Sequence, residues 1–210
     1  MVGWLFSTLI LAYATPSSVD VVTAVERTQA MRVHRQANKL PTIPMSTYEQ
    51  VSLNNIVTGL TDVGADAKVG WGVGIFPVPI EEMYAALNEE VQHVPSSPVD
   101  VTEIIQGQAC QDGRVVFMNL PIPMLSDRWW VTTQGTSPEI RTRSQGQLAE
   151  LTWDTIPKFT ASSLPSHLQR HTIDGVHVQQ SSGGWLLIKI DDTHTLGEYH
   201  SWSNPNGYIP

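Results

Sequence analysis

Between positions 69 and 75 the chain reads VGWGVGI, and this alternation constrains the fold more than any other stretch. In a strand, successive side chains point to opposite faces, so Val69, Trp71, Val73 and Ile75 share one face and Gly70, Gly72 and Gly74 leave the other bare. The glycines also imitate a dinucleotide-binding loop. That motif, however, needs G-x-G-x-x-G turning directly into a helix, and here the alternation continues instead, which excludes the nucleotide reading. The pattern predicts a bent strand with something packed closely over its glycines.

Other strand signals surround it. Residues 48–60, 101–110, 114–120, 128–134 and 147–155 read as strands, with Asp112-Gly113 as a two-residue hairpin signal. Three more, at 176–180, 185–190 and 195–202, close the chain, separated by turns at Gly183-Gly184 and Asp191-Asp192. Helices are predicted over 17–39, capped by Ser17, Ser18 or Asp20, and over about 80–92, where Met83, Leu87 and Val91 fall on one face. Leu40 to Pro44 breaks the first. The fold class is therefore α+β: a meander of about nine strands, with the helices in the N-terminal half. Residues 157–172 form a long connection, of the kind that is functional or mobile in a compact domain.

The 210 residues suit one domain, and 41% apolar residues suffice for a sizeable core. A net charge of −8 argues against a general nucleic-acid surface. Four of the twelve basic residues, Arg27, Arg32, Arg35 and Lys39, nevertheless cluster in the first helix. They read as a solvated helix face, with transient contact to an anionic membrane as the sharper alternative. Residues 1–14, MVGWLFSTLILAYA, are apolar and end in Ala-x-Ala; they are expected to be an export signal that sends the protein to the periplasm or outside the cell. The alternatives are an uncleaved segment or a misassigned start, with a cytoplasmic location. The lone Cys110 rules out an intrachain disulfide and reads as a buried small hydrophobe.

No catalytic constellation emerges. None of the seven histidines forms an HExxH pair, and His167 and His171, four apart, have no neighbouring carboxylate in sequence. There is no G-x-S-x-G elbow and no lysine-bearing phosphate loop. Tryptophan is more informative: Trp71, Trp129, Trp130, Trp153, Trp185 and Trp202 all fall in predicted strands. Each alone reads as core; together they would make a rigid apolar lining for a flat or greasy ligand. Alternation along 128–134 puts Arg128, Trp130 and Gln134 on one face. An inward Arg128 must be paired, with Glu103, Asp127 and Glu198 as candidate carboxylates, or else serve as a polar anchor for a ligand.

Four motifs, taken in order, resemble the START lipid-transfer domains of the helix-grip (SRPBCC, Bet v 1-like) superfamily. VGIFPVPIEEMYAAL is a strand running through Pro into a helix, and MLSDRWWV looks like the family's Ser-Asp-Arg-Asp-Phe-Val strand. The 157–172 connection stands in the place of an Ω loop at the pocket mouth. SSGGWLLIKIDDTHTLGEYHSWSNPNGYIP is similar to the family's Gly-x-Trp hairpin and its Asp-Pro-x-Gly-x-Ile-Pro ending. The resemblance covers residues 45–210, after a leader (1–14) and an N-terminal helix with linker (15–44).

The resemblance implies a helix-grip fold: a curved antiparallel sheet enclosing a lipid-sized cavity, with no cofactor, no metal and no catalytic residue. Trp71, Val73, Trp130, Trp153, Trp185 and Leu187 are then expected to bury a lipid or other hydrophobic molecule. Arg128, Gln134 and Tyr199 orient it, and the 157–172 connection gates entry. Two positions depart from the family: Trp129 replaces a common acidic residue, and Gln134 stands where some sterol-binding members carry a second arginine. The family also continues into a C-terminal helix, so Pro210 reads as the first residue of an element beyond this sequence. The rival expectation is an enzyme similar to the aromatase/cyclases of the same superfamily, with Arg128 and Tyr199 or His200 in acid–base roles. A relative with a collapsed pocket is a third.

Overall fold

A computed structural model of the protein describes residues 15–32, 42–64, 67–89 and 99–204. The leader at 1–14, Arg35, Lys39 and the Pro205–Pro210 ending lie outside them. Nine strands form one sheet: β1 (Val57–Gly64), β2 (Ala67–Phe76), β3 (Val101–Gln106), β4 (Arg114–Leu120), β5 (Arg128–Thr136), β6 (Leu148–Thr155), β7 (Val176–His177), β8 (Gln180–Lys189) and β9 (Thr195–Asn204). Their order is β1-β2-β9-β8-β6-β5-β4-β3, antiparallel throughout, with the short β7 beside β5 in parallel. The helices are α1 (Ser18–Thr28), α2 (Met45–Tyr48), α3 (Ile80–Asn88), α4 (Pro138–Arg143) and α5 (Ser166–Gln169). This is the curved α+β sheet that the alternation predicted. No helix among the described residues is long and apolar enough to cross a membrane.

Direct cross-strand partners share a face, so register decides what each side carries. Ile75, Leu196, Ile188 and Leu148 line up across β2, β9, β8 and β6 and are all buried. Over them lie Val21, Ala24 and Val25, the apolar stripe of α1. Ser17 starts that helix as a capping box: its hydroxyl accepts from the Asp20 amide, and Asp20 accepts from the Ser17 amide. The same face continues to β4 and β5, where Phe117, Trp129 and Val131 meet Leu164 and Leu168 of the 157–172 connection. The opposite face carries α3, with Ile80 and Met83 packed on Ala149 and Leu187.

The first helix ends in a 3-10 turn, Gln29–Arg32, and this turn is bolted to the sheet. Arg32 Nη2 donates to both carboxylate oxygens of Glu198 at 2.6 Å, and the Tyr48 hydroxyl donates to Glu198 at 2.9 Å. Burial works against the charge on Arg32, but Glu198 and Tyr48 together more than offset it, so the guanidinium is held above its ordinary pKa. Burial also pushes the Tyr48 phenol well up, and the neighbouring carboxylate adds to the effect. Arg27 donates to the Lys189 carbonyl. Arg32 is thus a structural cation and not part of the solvated face expected for it, whereas Arg27 is exposed, as that face requires.

Several local expectations are corrected. Gly183-Gly184 is no turn: β8 runs straight through it, because the missing side chains admit a ring from the next strand. Tyr48 belongs to α2 and is buried, and the strand begins only at Val57. The β3–β4 connection spans 107–113, with positive φ at Gly107, Cys110 and Gly113, instead of turning on two residues. Cys110 is exposed there, not buried. The α4 turn, opened by Ser137-Pro138, had no counterpart in the sequence reading.

Removing one partner of a buried ion pair costs about 3–5 kcal/mol. Arg32→Met is therefore expected to lower the urea unfolding free energy by about that amount, with partial recovery in Arg32→Met/Glu198→Gln. An unchanged midpoint in the single variant would contradict the clamp. At the β8–β9 turn, burial raises the Asp191 pKa, but donors from Thr193 and His194 outweigh it and hold the carboxylate below its usual range. A depressed folded pKa contributes stability above the unfolded value of about 3.9, which is lost as pH falls through the folded one. Asp191→Asn should flatten the acid limb of stability against pH, measured by thermal unfolding between pH 2 and 6.

Candidate functional site

On the α3 face, an open groove of about 560 Å³ lies across β1, β2 and β9. Its floor is the bare backbone of Gly70, Gly72 and Gly74, continued by Gly197. Ile56 and Leu60 of the edge side, largely exposed, form one wall, and Phe76, Trp185 and Tyr199 form the other. Among the described residues its polar side-chain groups are the hydroxyls of Thr58, Tyr199 and Ser201 and the indole N–H groups of Trp71 and Trp185, and none of the lining side chains is charged. A volume in this range suits a single small ligand, and an uncharged apolar lining suits a hydrophobic one.

Aromatic rings continue the surface across the sheet. Phe76 meets Trp185 edge-on at 6.2 Å, Trp185 meets Tyr199 at 4.9 Å, and Tyr199 meets Trp153 at 5.8 Å. Two glycines make this possible. A Cβ at Gly183 would stand 2.2 Å from Trp153 Cζ2, and one at Gly197 would stand 2.8 Å from Phe76 Cε2. At Gly72 the same test finds only ordinary contacts, the nearest Thr58 Cγ2 at 3.6 Å, because that glycine borders free space.

Further along the same face lies a polar end. Arg114 of β4 stands opposite Gln134 of β5, and Gln134 stands opposite Trp153 of β6. The Gln134 carboxamide oxygen accepts from Arg114 Nε at 3.0 Å and from Nη2 at 2.7 Å. Arg114 Nη1 reaches the Asn88 carbonyl and side-chain oxygen at the end of α3. Arg114 is 3% exposed, and burial lowers its pKa from the ordinary arginine value. Arg114 escaped the sequence reading. The signal was there: the register set by strands 114–120 and 128–134 pairs it with Gln134.

No protein-family model and no curated protein matches the amino-acid sequence. Solved structures do match. The STAR-related lipid transfer protein of Xanthomonas axonopodis superposes with a TM-score of 0.55 at 16% identity, over 75% of this chain and 81% of that one. Human STARD10 gives 0.60 at 17% identity, over 87% and 69%, and human StAR-related lipid transfer protein 5 gives 0.57 at 14%, over 90% and 85%. The chain has the START fold.

Within the START fold the expected site residues separate. Trp185 and Tyr199 line the groove, and Trp153 adjoins it through Tyr199. Trp130, Gln134 and Arg128 share the face but lie along β5, toward the far edge. Leu187 is sealed beneath α3. Val73 is fully buried on the opposite face under α1, and so does not line the groove. Trp71 borders it, yet its indole crosses Gly59, packs against the α1 cluster and donates to Thr61. Strand alternation gives the reason: the ligand-sized space lies on the glycine side, not on the side of the bulky residues.

Arg128 is buried and donates to the Ser126 carbonyl at 2.5 Å. Two of its candidate carboxylates are engaged elsewhere, Glu198 with Arg32 and Glu103 with His167. Tyr199 and His200, adjacent in β9, face opposite sides, so of the two partners expected for Arg128 in acid–base work Tyr199 shares its face and His200 does not. The 157–172 connection packs on the α1 face through Leu164 and Leu168, so it does not gate this groove.

Gly183→Ala should cost about 1–3 kcal/mol by overpacking, since Trp153 and the His200 carbonyl both crowd the new methyl. The readout is the urea midpoint together with tryptophan fluorescence; a variant indistinguishable from wild type in both would show that no ring rests on this backbone.

Proposed function

We propose that the protein binds one lipid or similarly hydrophobic molecule in the groove over β1, β2 and β9, and carries it without chemical change. The observation that supports this reading is the groove itself: about 560 Å³, lined by apolar side chains and bare glycine backbone, with no charged group among the described residues that line it. Such a surface gains affinity from apolar area at about 25 cal/mol per Å² and offers little to a charged solute. The fold agrees, since the solved structures it matches include proteins named for lipid transfer. Trp185 and Tyr199 give the ligand rigid ring faces, and the Tyr199, Thr58 and Ser201 hydroxyls give it a few hydrogen-bonding partners.

Gly72→Leu tests the reading directly. A side chain there enters open groove with no backbone in the way, and a strand tolerates it. The leucine takes the place of ligand contact worth ~1.5–3 kcal/mol, so retention of a fluorescent sterol or acyl probe should fall about tenfold or more while the melting temperature holds. Native mass spectrometry of the purified wild type should show a co-purified lipid mass. Equal probe binding by Gly72→Leu would move the ligand out of this groove. Conversion of an added poly-β-keto substrate would favour the cyclase reading.

A further inference from the structure

The buried guanidinium of Arg114 has no carboxylate partner among the described residues. Its hydrogen bonds go to neutral oxygens only, those of Asn88 and Gln134. A guanidinium carries five N–H groups, and these contacts occupy four, leaving one on Nη2. Neutral acceptors satisfy hydrogen bonds but leave the charge uncompensated, and a cation held in a dry site favours an anion strongly. Burial lowers the Arg114 pKa, which is the same penalty seen from the side of titration.

Gln134 stands between this charge and the open face. Its oxygen is turned toward Arg114, which leaves its amide N–H groups directed away, and the residue is half-buried where Arg114 is sealed. Two positions along β5, on the same face, the Thr132 hydroxyl is fully buried without a hydrogen-bond partner among the described residues. These groups offer donors backed by a positive charge.

They also stand in line with the groove. Register places Arg114, Gln134, Trp153, Gly183, Ser201 and Gly70 side by side across β4, β5, β6, β8, β9 and β2. Four strand spacings separate Gly70 from Gln134, about 19 Å along the sheet. One leaflet of a bilayer's ~30 Å hydrocarbon core is about 15 Å deep, so the row has the span of an acyl tail with a head group at one end.

We propose that the ligand is an anionic amphiphile, lying across the strands with its tail in the glycine-floored groove and its carboxylate at Gln134, held there by the charge of Arg114. This deepens the hydrophobic-binding reading and rests on it. Gln134 makes the contact, and Arg114 supplies the field that selects an anion over a neutral head.

The test compares cis-parinaric acid with its methyl ester at pH 8, by probe fluorescence, in the full chain. Wild type should bind the acid about tenfold or more tightly than the ester, the factor expected for a charge-assisted contact. In Arg114→Met the acid-to-ester ratio should fall toward one. Gln134→Glu supplies Arg114 with a carboxylate in place, so it should fold at least as well as wild type and also lose the preference. Wild type binding both probes equally would overturn the anion subsite and leave hydrophobic binding standing. A preference that survives Gln134→Glu would likewise overturn it. Binding of neither probe would sink the groove reading and this inference together.

Discussion

A sheet residue without a side chain lets a neighbouring ring rest on the backbone itself, and the α3 face is organised by that contact. At Gly183 the Trp153 indole occupies the volume a Cβ would need, and at Gly197 the Phe76 ring does the same. Both rings thereby lie close against the strand backbone. The rings touch their neighbours, Phe76 to Trp185 to Tyr199 to Trp153, and become a pavement. Where the glycines continue and no ring covers them, at Gly70 and Gly72, the pavement gives way to the groove. Large side chains and absent ones are thus parts of one device: the first set the shape and the second make room.

The other face obeys a different rule. It is covered end to end, by α1 over β2, β9 and β8 and by the 157–172 connection over β4 and β5. Apolar burial supplies most of that attachment, but Arg32, Tyr48 and Glu198 fix where the first helix ends. An ion pair of this kind adds less net stability than its Coulomb energy suggests, because both groups were desolvated to make it. Its geometry is specific, however, and Glu198 sits in β9 one residue from the groove-lining Tyr199. The clamp on one face therefore holds the strand that presents the ring on the other.

How much of this was legible in the sequence follows from what alternation can carry. The 69–75 stretch made a strand certain and placed the bulky residues and glycines on opposite faces, and the structure has them so. Alternation does not say which face is open. Bulk suggested that Trp71 and Val73 meet the ligand; the open space lies over the glycines, because α1 needed the bulky side for itself. Gly183-Gly184 failed for a related reason. Two glycines read locally as a turn, and only the partner strand, carrying Trp153, reveals them as a landing site. Leu164 and Leu168 likewise gave no sign of which side of the sheet their long connection would cover. Long-range pairing is what the sequence withholds.

Charge placement shows the same division. The described residues that line the groove include no ionised group, whereas Arg114 and Arg128 are buried at the far end of the same face. Coulomb attraction across a dry interior reaches farther than a hydrogen bond, so a charge set at one end can orient a ligand whose mass lies at the other. Apolar area is indifferent to direction; a tail could enter either way round. A polar terminus with donors on one side and bare glycine on the other removes that ambiguity. In the proposed binding mode, affinity and orientation are set by different residues on different strands, joined by the register of the sheet.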